Sequence, residues 1–133
     1  MRFWLKFAWI LGSAVTLLQG AETVPVRRTE DVIYGRKHGV ALTLDVFQPT
    51  ATNGCGVVFV VSGGYFSAKE MINPAWLRPF LDRGYTVFAV LHGSQPKFTI
   101  PEAMQDVHRA VRFIRLHADD YGVDPARLGI YGG

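Results

Sequence analysis

Residues 57–64 read VVFVVSGG and give the first indication of the fold of this chain. Its first five residues are β-branched or aromatic without apolar–polar alternation, which is typical of a strand covered on both faces, as in a parallel sheet. The glycine pair that follows ends the strand and leaves backbone N–H groups accessible to a ligand. Two later apolar runs, YTVFAVL at residues 85–91 and LGIY at residues 128–131, have the same character.

Helical segments separate these three predicted strands. The first, PAWLRPFLDRG at residues 74–84, has Asn73 as its N-cap and Gly84 as its stop, and Pro79 predicts that the helix is short or kinked. The second begins at Pro101. Its apolar residues recur at three- and four-residue steps and are expected to face the sheet: Ala103, Met104, Val107, Ala110, Val111, Ile114 and Ala118. Asp106, in its first turns, is expected to accept hydrogen bonds from a neighbouring loop rather than to act in catalysis.

An antiparallel hairpin precedes the first buried strand. Residues 31–34 and 41–47 are its predicted strands, GRKHG at residues 35–39 is its loop, and Pro49 ends the second strand. Alternation of apolar and other residues over 41–47 predicts burial of one face only. The order of elements therefore predicts an α/β fold with a mostly parallel sheet, a leading antiparallel hairpin and flanking helices.

The N-terminal residues 1–21 have the pattern of a secretory signal peptide. Arg2 and Lys6 precede an apolar stretch of 12 residues, which is followed by the small residues Gly20 and Ala21. An uncleaved membrane anchor is the alternative, but the stretch is shorter than the ~20 residues that span a bilayer. Cleavage would lower the net charge from +3 to +1, because two of the 14 basic residues and none of the 11 acidic ones are lost. We therefore expect an exported protein without a nucleic-acid partner and without stable membrane association after cleavage.

Chemistry is expected where the buried strands end, because ligands of open α/β sheets bind beyond the carboxyl ends of the strands. The three ends read SGGYFS, HGSQP and YGG. The backbone N–H groups of Gly63, Gly64 and Tyr65 are candidates for an oxyanion hole. His92 and Phe66 are candidate substrate contacts. Ser62 and Ser67 have no base that sequence spacing identifies.

The same strand ends exclude other kinds of site. The histidines and acidic residues lack metal-ligand spacing, so no metal site is expected. The glycine loop matches neither the dinucleotide nor the P-loop pattern, so no cofactor is expected.

Residues from about 31 to 133 resemble the carboxylesterases of the α/β-hydrolase fold, including the feruloyl-esterase-like and hormone-sensitive-lipase-like groups. VFVVSGGY at residues 58–65 is similar to their oxyanion strand and loop, and the most specific likeness begins at Pro101 and ends with YGVDPARLGIYGG. Two positions depart from the family pattern: Ser62 stands where these enzymes usually have a histidine, and Tyr65 where they have a third glycine. The resemblance implies that Gly132 and Gly133 open a G-x-S-x-G nucleophile elbow.

In the family, the nucleophilic serine, the acid and the histidine follow in that order. On this alignment the whole triad lies beyond Gly133, so residues 22–133 are expected to be an incomplete hydrolase domain that ends just before the serine. The resemblance implies a secreted carboxylic-ester hydrolase with an acyl-enzyme mechanism, acting on small or polysaccharide-linked esters and inactive as this chain alone. Two alternatives stay open at this point: a prolyl-oligopeptidase-like peptidase fragment, and a non-catalytic binding protein on a half-sheet.

Overall fold

The computed structural model describes residues 22–132 as a five-stranded sheet with two α-helices. The elements in chain order are β1 (Val26–Lys37), β2 (Val40–Pro49), β3 (Gly56–Val61), α1 (Pro74–Leu81), β4 (Thr86–Leu91), α2 (Ile100–Leu116) and β5 (Leu128–Gly132). Short 3₁₀ turns at Lys69–Met71 and Ala118–Tyr121 precede α1 and follow α2. The predicted signal peptide, residues 1–21, and Gly133 lie outside the described residues.

The strand order in the sheet is β1-β2-β4-β3-β5. β3 runs parallel to both β4 and β5, whereas β2 runs antiparallel to both β1 and β4. Leu77 and Leu81 of α1 belong to one core cluster, and Ala110 and Ile114 of α2 belong to the other. The two helices therefore cover opposite faces of the sheet, which confirms the predicted α/β class with a leading antiparallel hairpin.

The hairpin is longer and its turn is tighter than the sequence predicts. Pairing extends to Lys37 opposite Val40, so the predicted five-residue loop is a two-residue turn. His38 and Gly39 both have positive φ, 47° and 75°, as a type I′ turn requires. This turn matches the twist of the flanking strands, which lets the pairing continue into residues that the sequence analysis placed in the loop.

The prediction that only one face of β2 is buried is wrong. Asp45 has no exposed surface and Phe47 only 4 %, because β2 pairs with β4 as well as with β1 and α1 covers its second face. Hydrogen bonds offset the cost of burying the charged Asp45 carboxylate. Its Oδ2 accepts from Arg28 at 3.0 Å (Nε) and 2.6 Å (Nη2), and its Oδ1 accepts from the N–H of Asp31 at 2.9 Å.

The first helix begins after its predicted N-cap, Asn73, and the second begins at Ile100, one residue before the predicted Pro101. The Asn73 side chain accepts from the N–H of Ala75 at 3.0 Å, and Thr99 with Glu102 forms a capping box at the start of α2. The predicted apolar stripe of α2 faces the sheet except at Met104, which is 50 % exposed, because it lies about 100° around the helix from the buried Ala103. Between residues 22 and 132, the structure contains no helix with the length and apolar character needed to cross a bilayer.

Candidate active site

The register of the parallel strands brings the three predicted strand ends to one rim of the sheet. Val61 of β3 pairs with Leu91 of β4, so the next residues, Ser62 and His92, are neighbours. On the other side of β3, Val60 pairs with Gly132. The glycine loop after β3 and the end of β5 therefore emerge side by side, at the edge where α/β sheets bind ligands.

The glycine loop is a tight turn with two outward-facing residues at its tip. Gly63 and Phe66 exchange backbone hydrogen bonds of 2.9 and 3.1 Å, which closes the turn around Gly64 and Tyr65. The N–H of Gly63 is used in this closure. Among the described residues, no acceptor pairs with the N–H of Gly64 or Tyr65. Of the three candidate oxyanion donors, Gly64 and Tyr65 therefore have an N–H without a partner among the described residues, and their role as donors stays a prediction.

Tyr65 holds a strained backbone conformation at the tip of this turn. Its φ is +62°, next to +59° for Gly64. A bulky residue adopts the left-handed region only where the surrounding structure imposes it, and such strain occurs mainly at functional sites. The Tyr65 side chain is 47 % exposed and that of Phe66 is 52 % exposed. Both rings stand at the rim, and a substrate contact by Phe66 stays a prediction.

Gly132 occupies a position at which a side chain would be tightly crowded. A Cβ there would lie 3.0 Å from the carbonyl oxygen of Val60 and 3.1 Å from its Cβ. A Cβ added at Gly129 in the same strand would have no other heavy atom within 4 Å. The close approach of β5 to β3 at its carboxyl end therefore favours glycine at 132. Gly133, the other predicted elbow residue, lies outside the described residues.

His92 is buried beneath the glycine loop, with 7 % of its surface exposed. Its Nδ1 lies 2.8 Å from the carbonyl oxygen of Gly93 and its Nε2 lies 3.0 Å from Oγ of Ser62. A carbonyl can only accept, so Nδ1 donates to Gly93, and in the neutral ring Nε2 accepts from the Ser62 hydroxyl. Because both ring nitrogens are bonded to protein atoms, a direct substrate contact by His92 stays a prediction.

Ser67 and Ser94 connect the loops after β3 and β4. The sequence analysis found no partner for Ser67 and did not single out Ser94. Oγ of Ser67 donates to the carbonyl of Val61 at 2.5 Å and accepts from the N–H of His92 at 3.2 Å. Oγ of Ser94 accepts from the N–H of Ser67 at 2.8 Å and donates to its carbonyl at 2.9 Å. No sequence spacing signals this arrangement, because its members lie 25 to 30 residues apart.

Beneath the rim, a buried polar group on α2 supports the loop after β4. Asp106, 2 % exposed, accepts with Oδ2 from the N–H of Gly93 at 2.9 Å and from Nζ of Lys37 at 2.6 Å. The expectation that Asp106 binds a neighbouring loop is confirmed. The Tyr34 hydroxyl donates to the carbonyl of Leu91 at 2.5 Å. Burial is the main cause that raises the pKa of Tyr34 far above its ordinary value, and the negative charge of the nearby Asp106 is the second cause.

An apolar groove borders the glycine loop on the α1 face of the sheet. It has a volume of about 950 Å³ and is lined by the end of β3 as far as Gly63, by Trp76 and Phe80 of α1, and by Tyr131 of β5. Trp76 is 62 % exposed and Tyr131 is 56 % exposed. Across residues 22–132, His, Cys, Asp and Glu do not gather in any group suited to a metal ion.

A sequence profile of the BD-FAE family matches residues 44–133. Two curated relatives share comparable identity with the chain. The Mycobacterium tuberculosis protein named "Probable carboxylic ester hydrolase LipM" is 28 % identical over 108 residues, which are 77 % of this chain and 25 % of that protein. Endo-1,4-beta-xylanase B of Butyrivibrio fibrisolvens is 26 % identical over 127 residues, which are 86 % of this chain and 20 % of that protein.

Solved esterase structures have the same fold. A truncated carbohydrate esterase from gut microbiota superposes with a TM-score of 0.70 at 25 % identity, covering 85 % of this chain and 41 % of its own. The thermophilic esterase Est2 of Thermogutta terrifontis gives a TM-score of 0.64 at 26 % identity, covering 84 % and 40 %. The chain thus spans a quarter or less of these curated relatives and about two fifths of these solved structures. With the family profile matched over two thirds of its length, the chain belongs to the BD-FAE family and has the α/β-hydrolase-like fold of carboxylic ester hydrolases.

Proposed function

We propose that this chain is part of a secreted serine carboxylic-ester hydrolase that works through an acyl-enzyme. The proposal rests on the N–H groups of Gly64 and Tyr65, which have no acceptor among the described residues and lie on the same rim as the end of β5. Backbone donors placed in this way stabilise the negative charge that develops on a carbonyl oxygen during acyl transfer. In this proposal Gly132 and Gly133 open the elbow, and the residue after Gly133 is the nucleophilic serine.

The reaction follows from these positions. The serine hydroxyl attacks the ester carbonyl and passes its proton to a histidine, while the N–H groups of Gly64 and Tyr65 bind the oxyanion. Departure of the alcohol leaves an acyl-serine, which water then hydrolyses. The groove beside Gly63 offers apolar and aromatic side chains to the substrate. Residues 22–132 contribute the oxyanion loop and the groove but no triad, so we expect the chain by itself to be inactive.

We further propose an exported enzyme that acts on polysaccharide-linked esters. The pattern of residues 1–21 supports export. The carbohydrate esterase among the structural neighbours and the xylanase among the relatives favour a carbohydrate-linked substrate.

The test uses the protein expressed from its complete native reading frame. We expect a fluorophosphonate to form one covalent adduct, located by mass spectrometry on the residue after Gly133. We also expect hydrolysis of p-nitrophenyl acetate, with little cleavage of glycyl-prolyl-p-nitroanilide, the substrate that a prolyl peptidase would take. Failure to form the adduct in a folded protein would refute the serine mechanism.

The two glycines of β5 give a matched pair of variants for the elbow. Gly132→Ala brings a Cβ to 3.0 Å from the Val60 carbonyl oxygen, whereas Gly129→Ala meets open space. We expect esterase activity to fall sharply in the first variant and to stay within about twofold of wild type in the second, since surface changes of this kind alter little. Equal activities in the two variants would show that the end of β5 does not build the site.

A further inference from the structure

The loops that follow β3 and β4 are held together by side chains rather than by regular sheet pairing. We name the group formed by Ser62, Ser67, His92 and Ser94 the serine–histidine clamp. Its hydroxyls and imidazole make four hydrogen bonds within the group, and two further bonds join the group to the carbonyls of Val61 and Gly93. All four residues are buried or half-buried, so water competes less for these groups than at an exposed loop.

The residue that follows the clamp in the loop after β4 contacts the tip of the glycine loop. The N–H of Gln95, one residue beyond Ser94, donates to the carbonyl of Tyr65 at 3.2 Å. On the opposite side, the N–H of Gly93 is fixed to the buried Asp106 of α2 at 2.9 Å. Hydrogen bonds and the backbone of the loop after β4 therefore link α2 to the carbonyl of Tyr65, the residue whose own N–H is one of the two unpaired donors.

The conformation of the tip needs such support. Left-handed backbone costs a non-glycine residue about 1–2 kcal/mol, and Tyr65 adopts it with φ +62°. The closing bonds between Gly63 and Phe66 fix the ends of the turn, but both residues are exposed. Strained residues persist where the surroundings determine them from several sides. The clamp and the Gln95 contact supply these additional constraints.

We propose that Ser62, Ser67, His92 and Ser94 are positioning residues that set the direction of the Gly64 and Tyr65 N–H groups in the oxyanion hole. This inference rests on the proposed function for its catalytic consequence, though not for its structural part. Donors that are slightly misplaced still allow ester binding but stabilise the transition state less. Loosening the clamp therefore lowers kcat and leaves KM nearly unchanged.

The structural part is tested by amide hydrogen exchange in the whole chain. Ser67→Ala removes the hydroxyl that bridges Val61 and His92, and Ser67→Thr restores a hydroxyl at the same position. We expect the amides of Phe66 and Gln95 to exchange at least about tenfold faster in Ser67→Ala, as loss of a hydrogen bond in the half-buried group implies, with recovery in Ser67→Thr. The matched control is Thr50→Ala, which removes one hydroxyl bond, to Pro25 at 2.9 Å, at the other end of the sheet.

The control should leave exchange at residues 66 and 95 unchanged. Ser94→Ala provides a second variant in case Ser67→Ala does not fold, and the same local acceleration is expected. Exchange that rises equally throughout the sheet, or that does not rise at residues 66 and 95, would overturn the proposal.

The catalytic part is tested on the protein from the complete reading frame with p-nitrophenyl acetate. Ser67→Ala and Ser94→Ala should lower kcat by about 10- to 100-fold, since small misplacements of this kind can cost up to about 100-fold, while KM changes less than about twofold. Ser67→Thr should restore most of kcat. A change confined to KM, or none at all, would refute the positioning role. If the wild-type protein has no esterase activity, the proposed function fails, and the exchange experiment still decides whether the clamp holds the loop.

Discussion

The buried ion pair between Lys37 and Asp106 offers the sharpest test of how the rim is supported. Asp106 is 2 % exposed, and its Oδ2 accepts both from Lys37 Nζ at 2.6 Å and from the N–H of Gly93 at 2.9 Å. Lys37 Nζ also lies 4.1 Å from the centre of the Phe98 ring. Asp106→Ala therefore leaves two donors without an acceptor, one of them a cation whose side chain is only 12 % exposed.

We expect Asp106→Ala to lower the free energy of unfolding by about 3–4 kcal/mol. Removing one partner of a buried pair costs about 3–5 kcal/mol, and the exposed part of the Lys37 side chain, which lets water reach the ammonium group, places the value in the lower half of that range. The measurement is urea unfolding followed by far-ultraviolet circular dichroism. The matched control is Asp82→Ala, which breaks the exposed Arg78–Asp82 pair on α1 and should cost less than about 1 kcal/mol.

A double variant separates the loss of charge pairing from the loss of packing. Lys37→Met together with Asp106→Leu replaces the pair by apolar side chains and should recover most of the stability lost in Asp106→Ala, because no charge remains buried. The reasoning would be refuted if Asp106→Ala cost no more than Asp82→Ala, or if the double variant were less stable than Asp106→Ala.

Three further variants test other local features. Burial and the Asp106 carboxylate raise the pKa of Tyr34 in the folded chain. The stability that depends on the neutral phenol is therefore intact below a pH of about 10 and is lost as pH rises above it. Between pH 8 and 11, the melting temperature of Tyr34→Phe should fall less steeply than that of the wild type. Thr99→Ala should lower the free energy of unfolding by about 1 kcal/mol through loss of the cap. The backbone N–H and hydroxyl of Thr99 lower the pKa of Glu102. The stability that the ionised Glu102 contributes is therefore present above the ordinary carboxyl range and is lost as pH falls through the lowered pKa. The urea midpoints measured at neutral and at acidic pH should accordingly differ less in Thr99→Ala than in the wild type. Tyr65→Gly should raise stability by up to about 1 kcal/mol, because relief of left-handed strain outweighs the added freedom of the unfolded chain, and a lower melting temperature would contradict this.

The order of strands and helices could be predicted from the sequence because each element carries its own local signal. The unbroken apolar run at residues 57–61 indicates a doubly covered strand, and Asn73 and Gly84 mark the two ends of a helical segment. The stretch that reads HG in the first hairpin contains its turn, but the sequence does not fix how far pairing extends beside it. That extent depends on the type I′ geometry of the turn at His38 and Gly39. The interior position of β2 explains why Asp45 is buried against expectation.

Local sequence patterns are enough to identify the residues at the ends of the three buried strands, because glycines and apolar runs act over a few residues of chain. Which of these residues come into contact depends on the strand register of the folded sheet. The parallel register that pairs Val61 with Leu91 places Ser62 beside His92, 30 residues further along the chain, and the pairing of Val60 with Gly132 brings the end of β5 to the glycine loop. Hydrogen bonds between distant residues form because burial of both sheet faces fixes the register, and no local pattern in the sequence specifies such a register alone.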